Sequence, residues 1–477
     1  MKVVTLSTYD ITGGAARCAQ RHHEALRAAG VDHNLLVAWK RSSDPAILPV
    51  PPYRKAIAQG ARAEFLQRLT IERNRAPGAD TWFTFPFVDC GADGLSIVRD
   101  ADVIEVHWCS GLVSLDGLDA LFALGKPVVI TLHDQWLFTG GCHYSGGCEG
   151  YLRDCATCPQ LAHDPVGVPA TVLSLRKQLG ARRRGTVIGT SRWIHALARS
   201  SPVFAGWRHE HLPSALDLRV YRPRPRDEAR REIDLDDAAW NVLFVADRFS
   251  EKRKGFDDLV AAARQIGTVA GRPVRFVAMG QPVELDPALA DRVRFLGVQH
   301  DQARIAAIYA ACDAMLIPSH EDNLPNTMLE ALATGTPVVA YRVGGVPDMV
   351  HEGSTGALVE RGDTAGLARA LTNLLKGGAS EAFRGNCRAI AEREVSYDVH
   401  AQRCLALFED LLKTPRHEEK PLGTLDERLY QAAFQLALQK TAIKPGMNEA
   451  ARRGASMARV ELQQLFGQTH AGGWSWA

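Results

Sequence analysis

The sequence has no apolar run approaching the ~20 residues that a membrane-spanning helix needs. It also has no large net charge: the formal balance is +2 over 477 residues, which gives no global case for a nucleic-acid partner. The first residues, MKVVTLSTYD, enter a strand-like run at once, without an apolar leader core or a small-residue cleavage site, so no secretory signal is expected. Ten cysteines are too few in a chain this long to form a disulfide scaffold. A reducing, cytoplasmic setting is the expectation, with peripheral contact at the inner face of a membrane left open.

Hydrophobic residues make up 46% and charged residues 23%, as in a globular protein, and the length calls for more than one domain. Short β-rich runs alternate with longer helical patterns. The first half carries VVTLST, NLLVAW, VIEVHW, VVITLHD and TVIGTS; the second carries VLFVAD, VRFVAMG, VRFLGV, AMLIPS, VVAYR and TGALVE. These runs are almost continuously apolar, as expected of parallel strands covered on both faces. There are too many for one ordinary sheet. The charged, proline-bearing stretch YRPRPRDEARREIDLDDAAW (221–240) marks the break.

The expected class is therefore α/β, with two doubly wound Rossmann-like domains facing across a cleft and a helical C-terminal tail. The boundaries are 1–220 for the first domain, 221–395 for the second, 396–414 for a crossover helix and 415–477 for the tail. In the tail, TLDERLYQAAFQLALQ reads as a helix with Thr424 as N-cap and Glu427 closing a capping box. A second helix is expected over about 448–466.

The densest polar cluster is SHEDNLPNTMLEALATGTPVV. Glu321, Asp322, Asn323, Asn326 and Glu330 border an apolar run that has helical spacing from Pro325 to Gly335. Asp322 and Asn323 fall in the loop after strand AMLIPS; Asn326 and Thr327 fall in the first helical turn, whose free amides favour an anion. Such a site suits a nucleotide diphosphate, with Glu330 accepting from a ribose diol. The bland alternative is a capped helix with a surface glutamate.

At these residues the sequence resembles the retaining, nucleotide-sugar-dependent glycosyltransferases of family 4, which have the GT-B fold. Asp322 and Glu330 match the two carboxylates of the E-x7-E motif, although the first is an Asp and the usual neighbouring glycines are replaced by Asn323 and Pro325. FVADRFSEKRKGFDDLV resembles the segment whose Arg and Lys hold the diphosphate, which implies Arg248 and Lys254. VRFLGVQHDQARIAAIYAACDAMLIPS resembles the base-binding segment, with Val298 beside the base. TGGAARCAQ, IEVHW, ITLHD, GTSRW and LPSALDLRVYRP follow in family order over roughly 1–413.

The resemblance implies transfer of a sugar, with retention, from a nucleotide-diphosphate sugar to a glycan, glycolipid or small-molecule acceptor, in polysaccharide or glycoconjugate biosynthesis. It implies no catalytic cofactor, since fixed cations can stabilise the leaving diphosphate. Asp322, His133, Arg248 and Lys254 are the implied catalytic group. Glu330, Asn326, Thr327, Asn323, Gly14, Gly13 and Val298 are the implied donor contacts. His107 is a weaker candidate of the same kind as His133, and Glu321 a rival to Asp322. A nucleotide-sugar epimerase and a non-catalytic sugar-nucleotide-binding or scaffold protein are the alternatives.

Two further segments stand out. CHYSGGCEGYLRDCATC places Cys142, Cys148, Cys155 and Cys158 in one short Gly-rich loop, and Cys155-x2-Cys158 has zinc-knuckle spacing. A structural Zn²⁺ is expected, with disulfides or free thiols as the rivals. VLSLRKQLGARRRG (172–185) is basic and partly apolar, and reads either as a surface for an anionic membrane or as a solvated helix.

Overall fold

The computed structural model describes all residues except 52–53, 80, 286, 379–380, 443–446 and 467–477, so the end of the expected tail lies outside the described residues. The first sheet contains β1 (Lys2–Tyr9), β2 (Asp32–Trp39), β3 (Ile47–Pro49), β4 (Val103–Val106), β5 (Val128–Leu132), β6 (Thr186–Gly189) and β7 (Arg208–His211). Its order is β3-β2-β1-β4-β5-β6-β7, parallel throughout. The second sheet contains β8 (Trp240–Arg248), β9 (Thr268–Val269), β10 (Arg272–Gln281), β11 (Val293–Gly297), β12 (Ala314–Ile317), β13 (Val338–Tyr341) and β14 (Gly356–Val359). Its order is β11-β10-β8-β12-β13-β14, with β9 antiparallel on β10.

All eleven apolar runs singled out in the sequence are strands. The strands without such a signal, β3, β7 and β9, are short and peripheral. β7 reads RHEH and closes one edge of its sheet, where only one neighbour must be satisfied and burial does not demand apolar residues.

In both sheets strand order reverses beside the first strand, between β1 and β4 and between β8 and β12. Open α/β sheets bind ligands outside the carboxyl ends of the strands at such a switch point. The two switch points face each other, because the helix Gly14–Ala28 after β1 meets the helix Asn326–Ala333 after β12.

The crossover helix Tyr397–Leu412 returns to the first domain, where Ala401, Cys404, Leu407, Phe408 and Leu411 pack with Val3, Val103 and Val129. The tail also belongs to that domain. Helix Leu425–Lys440 buries Leu425, Leu429, Tyr430, Phe434 and Leu436 in the main N-terminal core, and the Tyr430 hydroxyl donates to the Phe87 carbonyl at 2.5 Å.

The expected capping box is not formed: the Thr424 side chain makes no cap bond. Asp116, from the neighbouring domain surface, accepts instead from the amides of Leu425 (2.8 Å) and Asp426 (3.1 Å). A docked helix end can take its cap from the surface it docks on, so a local pattern need not be used.

The basic segment also makes contacts within the chain. It forms the helix Val168–Arg182 with Arg176 buried; Arg183 pairs with Asp119 (2.7 Å) and Glu419 (2.6 Å). Arg182 donates to the Lys420 carbonyl, and Arg184 to the carbonyls of Gly180 and Ala181 at the end of its own helix. The arginines that motivated an anionic-membrane reading hold the tail and cap a helix. Among the described residues no helix is long and apolar enough to cross a membrane.

Two predictions follow from these contacts. Burial, with Asp116 and Asp89 nearby, pushes the Asp426 carboxyl up to about 7. The folded state thus holds this proton more tightly than the unfolded one. The group's contribution to stability is complete below about pH 4 and is lost as pH rises through about 7. Asp426→Asn should raise the thermal midpoint more at pH 8.5 than at pH 5.5; an equal shift at both pH values contradicts the assignment. The second concerns the buried pair of Arg21 and Glu330 between the two helices, at 2.5 Å. Arg21→Met leaves a buried carboxylate uncompensated and should cost about 3–5 kcal/mol in denaturant unfolding. Adding Glu330→Gln should restore much of the loss, and strictly additive losses would show that the pair does not couple the domains.

Candidate active site

The acidic loop after β12 is shaped by glycines from neighbouring loops. Gly344 has φ +51, and a Cβ there would lie 1.6 Å from the Asp322 carbonyl oxygen; one on Gly345 would lie 2.1 Å from that of Asn323. The Gly345 amide donates to the Asn323 carbonyl at 2.7 Å. Gly255, at φ +70, packs equally tightly on the Pro318 carbonyl, which brings the Lys252–Gly255 turn against the same loop. These close approaches explain why Gly-Gly and Lys-Gly occur where they do.

The turn delivers two cations. Lys254 donates to Asp322 at 2.6 Å, Arg253 stands 3.5 Å from the same carboxylate, and the Ser319 hydroxyl lies at 3.4 Å. Burial pushes the Asp322 carboxyl up, but Lys254 and then Arg253 outweigh it and hold the pKa below the usual value. Asp322 is therefore an anion at neutral pH. Arg253 is also fixed by Glu251, by the Glu321 carbonyl at 2.7 Å and by the Tyr144 ring, 4.2 Å from its guanidinium. Arg248 ends β8 exposed at the same mouth, and Val298 is exposed on the loop after β11.

Glu330 lies one helical turn beyond Asn326 and is buried. It accepts from Arg21 and from the Tyr309 hydroxyl at 2.8 Å. Burial alone would pull the Arg21 guanidinium down; Glu330 overrides it, and the pKa lies above its ordinary value. A carboxylate has about four acceptor positions, so two remain beyond these partners.

The asparagines expected to contact a donor are engaged between the domains. Asn323 donates to Thr190 Oγ1 (2.8 Å) and to the His133 carbonyl (3.1 Å), and accepts from Ser191 Oγ at 2.6 Å. Asn326 donates to the Gly14 carbonyl (2.9 Å) and accepts from the Cys18 thiol (3.2 Å). In this arrangement their side chains join the two halves of the cleft. Thr327 is half-buried beside them, and Gly13, at φ +87, starts the helix that carries Gly14.

His133, just after β5, is half-buried and bonded through Nε2 to His107 Nδ1 at 3.0 Å. Burial pulls its pKa down to about 4, so the ring is neutral at physiological pH. Its neighbour Asp134 accepts from His143 (2.7 Å) and from Trp108 Nε1 (2.8 Å). Glu321 points its carboxylate to the Gly146 amide, which donates to it at 2.9 Å.

Sequence reasoning missed Arg21, Arg253 and Tyr309. A signal for Arg21 existed. Gly14, Cys18 and Arg21 fall at i, i+4 and i+7, on one helix face, and Asn326 and Glu330 at i and i+4 on another. Only the facing of the two helices gives that spacing a meaning.

The sequence profile of the family Glycosyl transferases group 1 matches residues 240–377. A D-inositol 3-phosphate glycosyltransferase of Actinosynnema mirum is 36% identical over 215 residues, 41% of this chain and 50% of that protein. An N-acetyl-alpha-D-glucosaminyl L-malate synthase of Bacillus anthracis is 28% identical over 212 residues, 43% of this chain and 53% of that protein. The chain thus spans about half the length of these curated relatives. Among solved structures, a sucrose-phosphate synthase from Thermosynechococcus elongatus superposes with a TM-score of 0.58 at 21% identity, covering 87% of this chain and all of that one. Anabaena HepE in complex with UDP gives 0.58 at 19% identity, covering 86% of this chain and all of that one. Residues 240–377 of the second domain are thus similar to the group 1 glycosyl transferases, and the two sheets have the GT-B fold.

Proposed function

We propose that this protein is a retaining glycosyltransferase, moving a hexose-type sugar from a nucleotide-diphosphate sugar to a glycan, glycolipid or small-molecule acceptor in polysaccharide or glycoconjugate assembly. The observation that carries the reading is the Asp322–Lys254 pair at the switch point of the domain that matches group 1 transferases. A free nucleic acid is not a partner in this reading, and the reaction is placed in the cytoplasm.

The chemistry follows from the charges. As the glycosyl–phosphate bond breaks, negative charge grows on the diphosphate. Arg248 and Lys254 supply fixed positive charge at the carboxyl end of β8, with no metal required at this step. Once a diphosphate neutralises Lys254, Asp322 is released from its partner to accept from hydroxyls of the donor sugar. The neutral His133 ring can hydrogen-bond the same sugar from the opposite wall without adding charge. The acceptor hydroxyl attacks on the face the diphosphate leaves, a phosphate oxygen takes its proton, and no protein nucleophile is needed. Glu330 receives the ribose diol on its two remaining acceptor positions.

The solved HepE complexes with UDP and UDP-glucose make UDP and UDP-sugars the first probes. Lys254→Ala should weaken UDP binding by about 1.5–3 kcal/mol, the loss of a charge-assisted hydrogen bond. Asp322→Asn should leave UDP binding nearly unchanged and lower kcat with the cognate sugar donor. If Asp322→Asn turns over like the parent with an authentic donor–acceptor pair, the carboxylate does not serve the reaction. The anomeric configuration of the product, read by NMR coupling constants, should match that of the donor, and inversion would overturn the retaining assignment.

A further inference from the structure

The loop between His133 and the helix Val168–Arg182 holds a group of thiols that the proposed transfer reaction does not use. Cys142, Cys148, Cys155 and Cys158, all free thiols, line one cavity of about 20 Å³ together with Phe83, Tyr151 and other residues. That is room for one water-sized occupant. The wall is largely apolar apart from the sulfurs, with Ser145, Thr157 and Gln160 among its polar side chains.

A backbone amide reaches one of these sulfurs directly. The Gly150 amide donates to the Cys148 sulfur at 3.3 Å, and a Cβ on Gly150 would stand 3.3 Å from that sulfur and 3.8 Å from Cys155 Sγ. Amides directed at sulfur favour the deprotonated form that binds metal. Cys155 itself has φ +53, one of three non-glycine residues in the left-handed region among those described. Such a conformation persists where the surroundings require it, often at a functional site.

A counter-charge is also present. Arg176 is 2% exposed, and its Nη1 donates to the carbonyls of Trp136 and Thr139. Its Nε and Nη2 have no hydrogen-bond partner, an unusual state for a buried guanidinium. Cys109, then Cys142 and Cys155, and also Asp134 act electrostatically on it. Four thiolates around a divalent cation carry a net charge of −2, and the unsatisfied side of Arg176 offsets part of it.

We infer that Cys142, Cys148, Cys155 and Cys158 bind one structural Zn²⁺ as four thiolates, with Arg176 as the buried counter-cation. Binding releases the four thiol protons to solvent and leaves sulfur oxidation state unchanged. No three of these sulfurs, with or without another ligand residue, form one of the groups whose ligand atoms lie within 4.8 Å of one another, so the loop contracts on the ion. Such closure is compatible with a Gly-rich loop with Gly146 and Gly147 at positive φ.

The site has a mechanical consequence. The segment between Cys142 and Cys148 carries Tyr144, which lies under Arg253, and Gly146, which donates to Glu321. Both partners flank Asp322. Zinc would pin the two ends of the part of this loop that makes these contacts with the second domain.

The experiment is metal analysis of the full chain purified without chelator, followed by titration with a mercurial thiol reagent. About one zinc per chain is expected, released in step with reaction of four thiols. Cobalt(II) exchanged into the protein should show thiolate-to-metal charge-transfer absorption. Cys158→Ser should lose the metal while Cys387→Ser, at a buried cysteine outside the loop, keeps it. If Cys158→Ser does not fold, the wild-type stoichiometry and cobalt spectrum decide. Wild-type protein that contains no zinc and takes up neither added zinc nor cobalt overturns the inference, whether its four loop thiols are all alkylatable or are mapped as disulfides. These readouts require no sugar transfer, so they stand apart from the proposed activity.

Discussion

A buried ion pair between two helices, Arg21 from the first domain and Glu330 from the second, sets the arrangement of the cleft. Both side chains are almost fully withdrawn from water. Removing two charges from solvent is costly, and the cost is offset only with good geometry and further hydrogen bonds. Those are present: Tyr309 donates to Glu330, while Tyr221 accepts from Arg21 at 3.3 Å and lies under its guanidinium. Both tyrosines come from the second domain, so Arg21 inserts from one Rossmann-like unit into a polar pocket of the other. Asn326 bonding to Gly14 and Cys18, one turn away, extends the same seam.

This seam turns a generic feature of the fold into a site. Two switch points provide amides, loop space and helix starts, none of them specific. The seam brings the helix after β12 close to the helix after β1. The positive-φ glycines then press the acidic loop against the turn that carries Arg253 and Lys254. Asp322 is held as an anion by cations that a phosphate group could also attract. The neutral His133 lies opposite, with a chain of rings behind it through His107 toward His22 and His400.

The tail and the basic helix show how packing changes the meaning of a local pattern. Thr424 and Glu427 have the spacing of a capping box, yet Asp116 supplies the cap because the helix end lies on the surface that bears it. Arginines 182 to 184 have the look of a membrane-facing patch, yet they bind carbonyls and carboxylates of their own chain. In both cases the residues make the interaction type expected of them, with partners hundreds of positions away or across a helix end.

The eleven main strands, their division into two sheets and the helix after β12 were legible in the sequence, because burial of a parallel strand on both faces demands an uninterrupted apolar run. The nearness of Lys254 to Asp322 was legible only through the family resemblance, since 68 residues separate them. Edge strands such as β7 were not legible, because half-paired strands tolerate polar residues. Arg21 was not legible as the partner of Glu330, nor Asn323 as a clasp on Ser191 and Thr190, because each depends on a meeting of two independently folded units. Composition and periodicity determined which segments form strands and helices and which loops carry charge. Tertiary structure decided which charges meet, since the energy of a buried ion pair depends on distance and desolvation, and neither is a property of one segment alone.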